Sequence, residues 1–384
     1  MKSRTDPNLL SEVRKYGKFD TNACYQCGSC TISCNLIQES VSFPRKIIRY
    51  TLLGLRNLLN SSVEPWICHD CGDCSVSCPR EANPRESMAT LRRYLSSQYD
   101  WTGLASRIHR SKAWYLGTIV FFFLLIPALV VYYHLKIAEM EYSDFITMPM
   151  GLEHMFGLIK DFTLVIILVP FFFLLTNAFR MYWFIVHKEN KIKIPFILYL
   201  TEIKIYVIHS VTHKWFEKCP DKKRRPKHWF VAFGCVMMFI ILVFFLSWFQ
   251  TDNIYPIYNP QRWLGYLATI FLAYGSIDIL IGRIKKRKEI HKISEFGDYS
   301  FPILLLLTAI SGIAVHIFRY MGLELTTHFA YAVHIAITSP LLLIEIPFGK
   351  MSHMIYRPLA IYLLSVKEKA MQPQSNKEPV LENV

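Results

Sequence analysis

Charged residues are scarce in this chain, and acidic residues are the scarcer kind. Only 19% of the 384 residues are charged, whereas 52% are hydrophobic. Soluble globular proteins carry about 25% charged residues, so this composition argues against an ordinary soluble protein. The 43 basic residues outnumber the 29 acidic ones, which gives a formal net charge of +14. Basic loops and a basic N-terminal region account for that excess, so it does not indicate a nucleic acid partner.

Motifs for nucleotide binding and covalent catalysis are also missing. The sequence contains neither G-x-G-x-x-G nor a P-loop, and no grouping of a nucleophile with a base. We therefore expect no flavin or nucleotide site and no complete substrate site in this chain, and no catalytic residue can be assigned. The first apolar run begins too far along the chain for a cleavable signal peptide.

Apolar runs dominate the sequence after residue 113. A transmembrane helix needs about 20 apolar residues to cross a hydrocarbon core of about 30 Å. Buried helices of a large soluble protein are the alternative interpretation of such runs. The six runs that qualify are residues 114–134, 162–187, 228–250, 262–282, 299–320 and 328–348.

Basic residues in the short loops predict how these spans are oriented. The loop between spans two and three contains KCPDKKRRPK and the loop between spans four and five contains GRIKKRKEIHK, whereas the other links have few basic residues. If the basic loops are on the cytoplasmic side of the inner membrane, six spans place both termini there as well. We predict a cytoplasmic domain at 1–110, a transmembrane domain at 111–355 and a cytoplasmic tail at 356–384.

Eight of the ten cysteines form two copies of the pattern Cys-x2-Cys-x2-Cys-x3-Cys, at residues 24–34 and 68–78. Two-cluster bacterial ferredoxins have this spacing, and the fourth cysteine of each run ligates the other [4Fe-4S] cluster. Helical spacing of apolar residues at 43–55 and 84–98 predicts a small α-helical domain around the clusters. The crossing predicts Cys24, Cys27, Cys30 and Cys78 for one cluster, and Cys68, Cys71, Cys74 and Cys34 for the other.

Zinc binding and disulfide bonding are the alternative uses of these cysteines. Zinc sites with four thiolates usually consist of two separate Cys-x2-Cys knuckles rather than three thiolates within seven residues. Structural disulfides are rare in the cytoplasm, where the orientation places this region. Cys219 and Cys235 fall outside the pattern, and we expect them to be free thiols.

Histidines in the apolar spans are a second signal, because an ionisable residue in a membrane is costly unless it has a function. Haem b is commonly held by histidines on facing helices. His334 and His353 are separated by about 28 Å of helix, so each could ligate a haem near one membrane face. His228 opens the third span level with His353 and could complete that pair. The partner of His334 is left open between His316 and His154.

Quinol oxidation beside a haem requires a proton acceptor. Residues 199–216, which include His209 and His213, form an amphipathic segment that we expect on the cytoplasmic surface. The candidate acceptors are Glu202, His209, His316, Glu324 and Glu345.

The cysteine-rich region resembles the C-type iron–sulfur protein of heterodisulfide reductase, and the last five spans resemble the cytochrome b subunit of nitrate and heterodisulfide reductases. The second resemblance rests on VHIAITSPLLLIEIPFGKMSHMIYRP, which has a histidine, a long apolar stretch, Pro-Phe, a basic residue and a second histidine. A fusion of these two parts is similar to the QmoC proteins of quinone-interacting membrane-bound oxidoreductase complexes. The sequence therefore predicts a mainly α protein, a small α-helical two-cluster ferredoxin domain followed by a six-helix transmembrane haem b bundle.

This resemblance implies two b haems, with His228, His334 and His353 at ligand positions, and exchange of electrons with menaquinone. It also implies cytoplasmic flavin and iron–sulfur partners (QmoA- and QmoB-like) and, through them, adenylylsulfate reductase in sulfate respiration, a form of anaerobic respiration. The sequence departs from the nitrate-reductase pattern at Met238, where a second histidine is expected. The last histidine pair is also one residue farther apart, which a kink at Pro340 and Pro347 could absorb.

Two other functions fit parts of the sequence. The same clusters and haems could serve a complex linked to a heterodisulfide or sulfite reductase. The chain lacks the Cys-Cys-Gly signature of subunits that cleave heterodisulfides, so its electron path is expected to end in another chain. A membrane sensor could instead use the cysteines for zinc binding or redox signalling, and it would show no haem absorption.

Overall fold

The structure is a computed structural model, and it describes residues 5–37, 42–136, 141, 143, 156–188, 194–219, 221–249 and 253–375. The described residues are mainly helical and include no strand, which confirms the predicted fold class. The chain forms two compact units. The first unit comprises Met1–Arg110, Leu175–Arg225 and Ser352–Val384, and the second comprises Ser111–Leu174 and Pro226–Met351.

Short helices surround the two cysteine motifs in the first unit. The helices predicted at 43–55 and 84–98 are present as α3 and α7, and Pro84 occupies the first turn of α7, where its missing N–H costs nothing. The helices are α1 Leu9–Arg14, α2 Ser29–Ile32, α3 Arg45–Leu52, α4 Arg56–Asn60, α5 Glu64–Ile67, α6 Asp73–Val76, α7 Pro84–Tyr99 and α8 Leu104–Arg110.

Ten further α-helices follow along the described chain. The helix that follows the break at Phe245 is a single turn. They are α9 Lys112–Lys136, α10 Phe156–Trp183, α11 Phe196–Thr212, α12 Arg224–Phe244, α13 Leu246–Phe249, α14 Pro260–Ile284, α15 Glu289–Lys292, α16 Gly297–Tyr320, α17 Glu324–Pro340 and α18 His353–Ser375.

Later segments of the chain complete the core of the first unit. The ring of Tyr356, in α18, packs at 4.9 Å from Trp66 and 5.6 Å from Tyr99. Arg180 donates a hydrogen bond of 2.7 Å to the carbonyl of Tyr99 at the end of α7. Glu202, in α11, accepts hydrogen bonds from Lys369 and Ser365 of α18. The predicted tail is therefore helical as far as Ser375, and it packs on the unit that contains the cysteines.

Six helices of the described chain are long and apolar enough to cross a membrane, which fits a multi-pass membrane protein. Each overlaps one of the predicted spans. The third ends at Phe244 rather than at residue 250, because the backbone breaks at Phe245. The candidate spans are Lys112–Tyr133, Leu164–Lys188, Arg224–Phe244, Pro260–Ile284, Gly297–Tyr320 and Glu324–Glu345.

Small residues bring helices close together in the second unit. A Cβ atom on Gly275 of α14 would overlap the side chain of Val231 in α12, and one on Gly234 would lie 3.0 Å from Leu272. Membrane helices associate largely through such close backbone packing, because lipid supplies no hydrophobic driving force between them. Gly275 therefore leaves room for Val231 where α12 crosses α14, and a side chain at Gly234 would require Leu272 to shift.

A π-helical turn, Leu341–Glu345, follows Pro340 directly. A π turn inserts one extra residue into a helix, which is the kind of irregularity expected after this proline. Glu345 is fully buried and accepts hydrogen bonds from Tyr115 (2.8 Å), Ser300 (2.9 Å) and the backbone N–H of Lys350 (3.1 Å). These bonds hold the π turn against α9 and α16.

Candidate functional site

The two cysteine motifs share one backbone conformation. Gly28 and Gly72, which precede α2 and α6, have φ angles of 93° and 100°. Gln26 and Asp70, two residues earlier in each motif, also have positive φ angles, of 57° and 60°. Left-handed backbone at these positions curls each loop tightly, and glycine adopts it without strain. The duplication in the sequence is thus a duplication in structure.

The first group of thiols combines both motifs, and we call it the first cluster site. Burial raises the pKa of the Cys30 thiol, and negative charge on Cys24, Cys78 and Cys27 raises it further. Cys78 therefore lies within electrostatic range of Cys30 in the other motif, and the crossed ligand sets stay a prediction. The first cluster site consists of Cys24, Cys27, Cys30 and Cys78.

The second group of thiols lines a cavity, and we call it the second cluster site. The cavity measures about 420 Å³ when its solvent-open part is included, and Cys34, Cys68, Cys71 and Cys74 all line it. Burial raises the pKa of Cys34 to about 11 and that of Cys71 to about 12. Thiolates in such a cavity need a positively charged metal centre beside them, so the donor set fits an iron–sulfur cluster.

The separation of the thiols bears on the zinc alternative. Within the described part of the chain, no three His, Cys, Asp or Glu side chains come as close together as the ligands of a single metal ion. Four thiolates on one zinc ion, each about 2.3 Å from the metal, need that closeness. A cubane has iron at four separate corners, so its thiolates lie farther apart. The preference for a cubane over zinc stays a prediction from the spacing of the cysteines.

Arginines surround the loop that begins at Cys68. Arg357 donates hydrogen bonds of 2.8 Å to the carbonyl of Cys68 and 3.0 Å to that of Trp66. Arg224 donates one of 3.0 Å to the carbonyl of Asp70. Among the described residues Arg357 has no carboxylate partner. Burial and the nearby positive charges of Arg92 and Arg224 lower the pKa of Arg357 to about 10, so an anion in the adjacent cavity would be stabilised.

Asp70 is the acidic member of this network. Arg85 binds its carboxylate in a bidentate manner, at 2.7 and 3.3 Å, and Arg92 lies 3.3 Å away. Burial opposes ionisation, but Arg85 and Arg92 hold the pKa of Asp70 well below its usual range. Neutral Gln26 occupies the corresponding position of the first motif. The duplicated loops therefore have different electrostatic surroundings.

The first cluster site is the more accessible of the two. Cys27 is exposed, whereas Cys68 and Cys74 are buried. Tyr25 is 69% exposed, and the guanidinium of Arg80 lies 4.4 Å from the centre of its ring. A protein partner in solution would reach the first site more directly than the second.

His69 is a buried residue that the sequence reasoning did not single out. Neither of its ring nitrogens has a hydrogen-bond partner among the described residues, and its ring lies 6.0 Å from that of Trp215 and 5.3 Å from that of Phe216. Burial, together with Arg357, Arg224 and Lys218, lowers the pKa of His69 to about 3. His69 is therefore neutral at physiological pH. Its place next to Cys68 in the motif was the only signal in the sequence.

The ring of His334 is held by a hydrogen bond to Ser311. Its Nδ1 lies 2.8 Å from the hydroxyl of Ser311, which also lies 2.7 Å from the carbonyl of Leu307. When the hydroxyl proton is donated to Leu307, Nδ1 carries a hydrogen and donates to Ser311, and the lone pair of Nε2 is available to a metal. Gly312 leaves space for the ring, because a Cβ there would lie 3.2 Å from His334.

His316 uses both of its ring nitrogens. Arg262 lies 3.1 Å from Nδ1, and the hydroxyl of Tyr266 lies 2.6 Å from Nε2. Because arginine only donates, Nδ1 is the acceptor and Nε2 carries the hydrogen. The ring of Tyr320 lies 6.1 Å away. His316 thus belongs to a polar cluster at one end of α14 and α16 and offers no free lone pair.

The other histidine predictions stay predictions. His228, in α12, belongs to the second unit, and His353 begins α18 in the first, so their pairing as haem ligands is untested. His154 lies outside the described residues. Among the candidate proton acceptors, Glu202 and Glu345 are buried and hydrogen-bonded, while Glu324 is exposed.

Comparison with known families supports the cluster assignment. Residues 20–82 match the family model described as a 4Fe-4S dicluster domain. The chain carries an iron–sulfur domain. All eight cysteines of the two motifs fall inside the matched segment.

Three curated proteins illustrate the similarity. The C 2 iron–sulfur subunit of the CoB–CoM heterodisulfide reductase of Methanocaldococcus jannaschii is 34% identical over 117 residues, which cover 28% of this chain and 60% of that protein. A protein of Archaeoglobus profundus that is named as similar to the C-type subunit of heterodisulfide reductase is 36% identical over 24% of the chain and 50% of its own length. The C2 subunit of the H2/formate:CoB–CoM heterodisulfide, ferredoxin reductase of Methanococcus maripaludis is 34% identical over 24% of the chain and 48% of its own length.

The chain therefore spans about half to three fifths of the length of these relatives. No solved structure matches the chain. The similarity bears on the iron–sulfur region, and the function of the whole chain is a separate question.

Proposed function

We propose that this protein is the membrane subunit of a quinone-linked oxidoreductase complex, and that it relays electrons between menaquinone and a cytoplasmic flavin and iron–sulfur partner. The observation that carries this proposal is the match of residues 20–82, which contain both cysteine motifs, to a 4Fe-4S dicluster domain, in a chain whose described part has six membrane-length helices. Cys24, Cys27, Cys30 and Cys78 would hold one [4Fe-4S] cluster, and Cys34, Cys68, Cys71 and Cys74 the other. A relay needs such closely spaced one-electron centres and no substrate pocket of its own.

Haem b is the proposed carrier inside the membrane. A bound haem would pass single electrons between quinol and the clusters. The free Nε2 of His334 supports its role as a ligand, and Ser311 would fix its ring as an outer-shell partner. His228 and His353 remain the proposed ligands of the second haem. His316 and His154 were the candidate partners of His334, and the hydrogen bonds of His316 favour a different role for that residue.

We assign quinol oxidation to the cluster of His316, Arg262 and Tyr266. Oxidation of a quinol releases its electrons to the haem and its protons to nearby acceptors. An imidazole between a guanidinium and a phenol can exchange hydrogen bonds with the oxygens of a quinone ring. Glu345 is a second candidate acceptor, and its carboxylate is buried where it accepts hydrogen bonds from Tyr115, Ser300 and the backbone of Lys350.

The resemblance of the whole chain to QmoC favours QmoA- and QmoB-like partners and, through them, adenylylsulfate reductase. We propose that the basic loops, the iron–sulfur region and both termini lie on the cytoplasmic side of the inner membrane. The curated relatives support a second candidate, because all three are named as heterodisulfide reductase subunits or as similar to one. In that case the same relay would serve a heterodisulfide reductase, or a sulfite reductase, and co-purification of the partner distinguishes these complexes.

The visible spectrum of the purified chain tests the proposal. We expect reduced-haem bands, broad iron–sulfur absorption and about eight cluster irons per chain, with no zinc. His334→Ala and His353→Ala should each remove haem absorption while the cluster signals persist. His187→Ala is the matched control, because His187 also lies at the end of a span but its ring lies 4.6 Å from that of Trp183, at an angle of 37°. A chain without haem in any preparation would refute the relay through the membrane.

A further inference from the structure

We propose that the second cluster site is the one that exchanges electrons with the membrane haem, and that Arg357 raises its reduction potential. This inference rests on the proposed function and gives the order of the two clusters along the electron path. The first cluster site would then exchange electrons with the soluble partner. Arg357 acts as a positioning residue, since it contacts the backbone of a cluster ligand rather than the cluster.

Arg357 contacts the ligand loop of the second site directly. Its guanidinium donates a hydrogen bond of 2.8 Å to the carbonyl of Cys68 and lies 5.5 Å above the ring of Phe216. Arg92 donates to the same carbonyl at 3.4 Å. Asp70 forms ion pairs with Arg85 and Arg92, whereas Arg357 forms no ion pair in the described part of the chain and interacts with Asp70 only at longer range. Arg357 is also close enough to Cys68 for a negative charge on that sulfur to interact with it.

Arg357 also lies close to a proposed haem ligand along α18. His353 begins this helix, and Arg357 follows four residues later. Residues four apart lie on the same face of a helix, and their separation along the axis is about 6 Å. A proposed haem ligand and a contact to Cys68 therefore lie one helical turn apart.

The first cluster site has fewer cations around it. The side chains that hydrogen-bond to its sulfur atoms are neutral: Gln26 lies 3.4 Å from the sulfur of Cys24, and Ser29 lies 3.4 Å from that of Cys27. Arg45 is the cation that acts on Cys27, and its influence is weaker than that of the hydrogen bonds from Ser29. Cys27 is also exposed to water, which screens charge. The second site is enclosed and has more positive charge around it.

The sign of the effect follows from charge. Four thiolates make the ligated cluster an anion, and reduction adds one electron to it. A nearby cation stabilises the reduced form more than the oxidised form, so it raises the potential. Because the second site is enclosed, its arginines are screened less than charges at the first site. The second cluster should therefore be the easier of the two to reduce.

Redox titration of the purified full-length chain, monitored by electron paramagnetic resonance, tests this inference. Cys71→Ala and Cys27→Ala, made separately, assign the two cluster signals. Arg357→Gln should lower the midpoint of the signal that Cys71→Ala removes by about 59 mV, which is a tenfold change in the ratio of reduced to oxidised cluster for one electron. Arg357→Lys keeps the charge, so its midpoint should lie closer to that of the parent protein. Arg80→Gln, beside the first site, is the matched control and should leave this midpoint unchanged.

Two results would overturn the inference. One is an unchanged midpoint in Arg357→Gln, and the other is a shift of the signal that Cys27→Ala removes. If Arg357→Gln fails to fold, Arg92→Gln can be used instead, because Arg92 also donates to the carbonyl of Cys68. The midpoint of the second cluster must then be lower in Arg92→Gln than in the parent protein. The titration needs only the clusters, so it gives an answer even if the chain binds no haem. The haem spectrum of the same sample tests the proposed function separately.

Discussion

Replacing Cys34 should damage the cluster of the other motif. Cys34 belongs to the first motif in sequence, yet it lines the cavity of Cys68, Cys71 and Cys74. A cubane that loses one of four thiolates loses one iron or falls apart, so Cys34→Ala should lower the iron content from about eight towards about four per chain. The cluster of Cys24, Cys27, Cys30 and Cys78 should keep its full intensity.

The identity of the lost signal is the decisive measurement. Electron paramagnetic resonance of the reduced protein should show that Cys34→Ala and Cys71→Ala remove the same signal, and that Cys78→Ala and Cys27→Ala remove the other. Cys235→Ala controls for the loss of a thiol outside the motifs. If Cys34→Ala removed the signal that Cys27→Ala removes, each motif would hold its own cluster, and the crossed grouping would be wrong.

Three further predictions address the membrane helices and their contacts. Ser311→Ala should weaken haem binding about tenfold, because it removes the hydrogen bond that fixes the His334 ring. Haem titration of the apoprotein measures the affinity. An affinity equal to that of the parent protein would contradict the role of Ser311. Glu345→Leu should destabilise the chain by about 2–4 kcal/mol, since it leaves three buried donors unsatisfied, and should lower the melting temperature in detergent more than Leu342→Ala. Lys369 and Ser365 lower the pKa of Glu202, so its contribution to stability should be present above the ordinary glutamate pKa and be lost as the pH falls through the lowered value. Unfolding measured against pH should show this acid dependence in the parent protein but not in Glu202→Gln.

The sequence was sufficient for the elements that depend on local patterns. Each membrane-length helix appears as an unbroken apolar run, because a span must satisfy its own backbone in lipid. The cysteine pattern likewise fixes the type of cofactor, since three thiolates within seven residues suit a cubane and each loop repeats the same positive φ angles. Helices α3 and α7 followed from apolar periodicity alone.

The electrostatic surroundings of the clusters could not be predicted in this way. Arg357 lies 289 residues from Cys68 in sequence, and nothing in its local sequence indicates a contact with that carbonyl. Trp215 likewise donates to the carbonyl of Ile67 from a distant part of the chain. Such contacts depend on how α18 and the segment after α11 pack on the cysteine domain.

The candidate haem-ligand histidines also show the difference between local sequence and tertiary structure. The sequence identified His334 and His316 as candidates of the same kind, because position within an apolar span is all that a linear pattern records. Tertiary structure distinguishes them through hydrogen bonds to Ser311 in one case and to Arg262 and Tyr266 in the other. Local spacing therefore indicated the iron–sulfur clusters, whereas long-range packing decided how the candidate histidines are hydrogen-bonded and which cysteine loop is surrounded by positive charge.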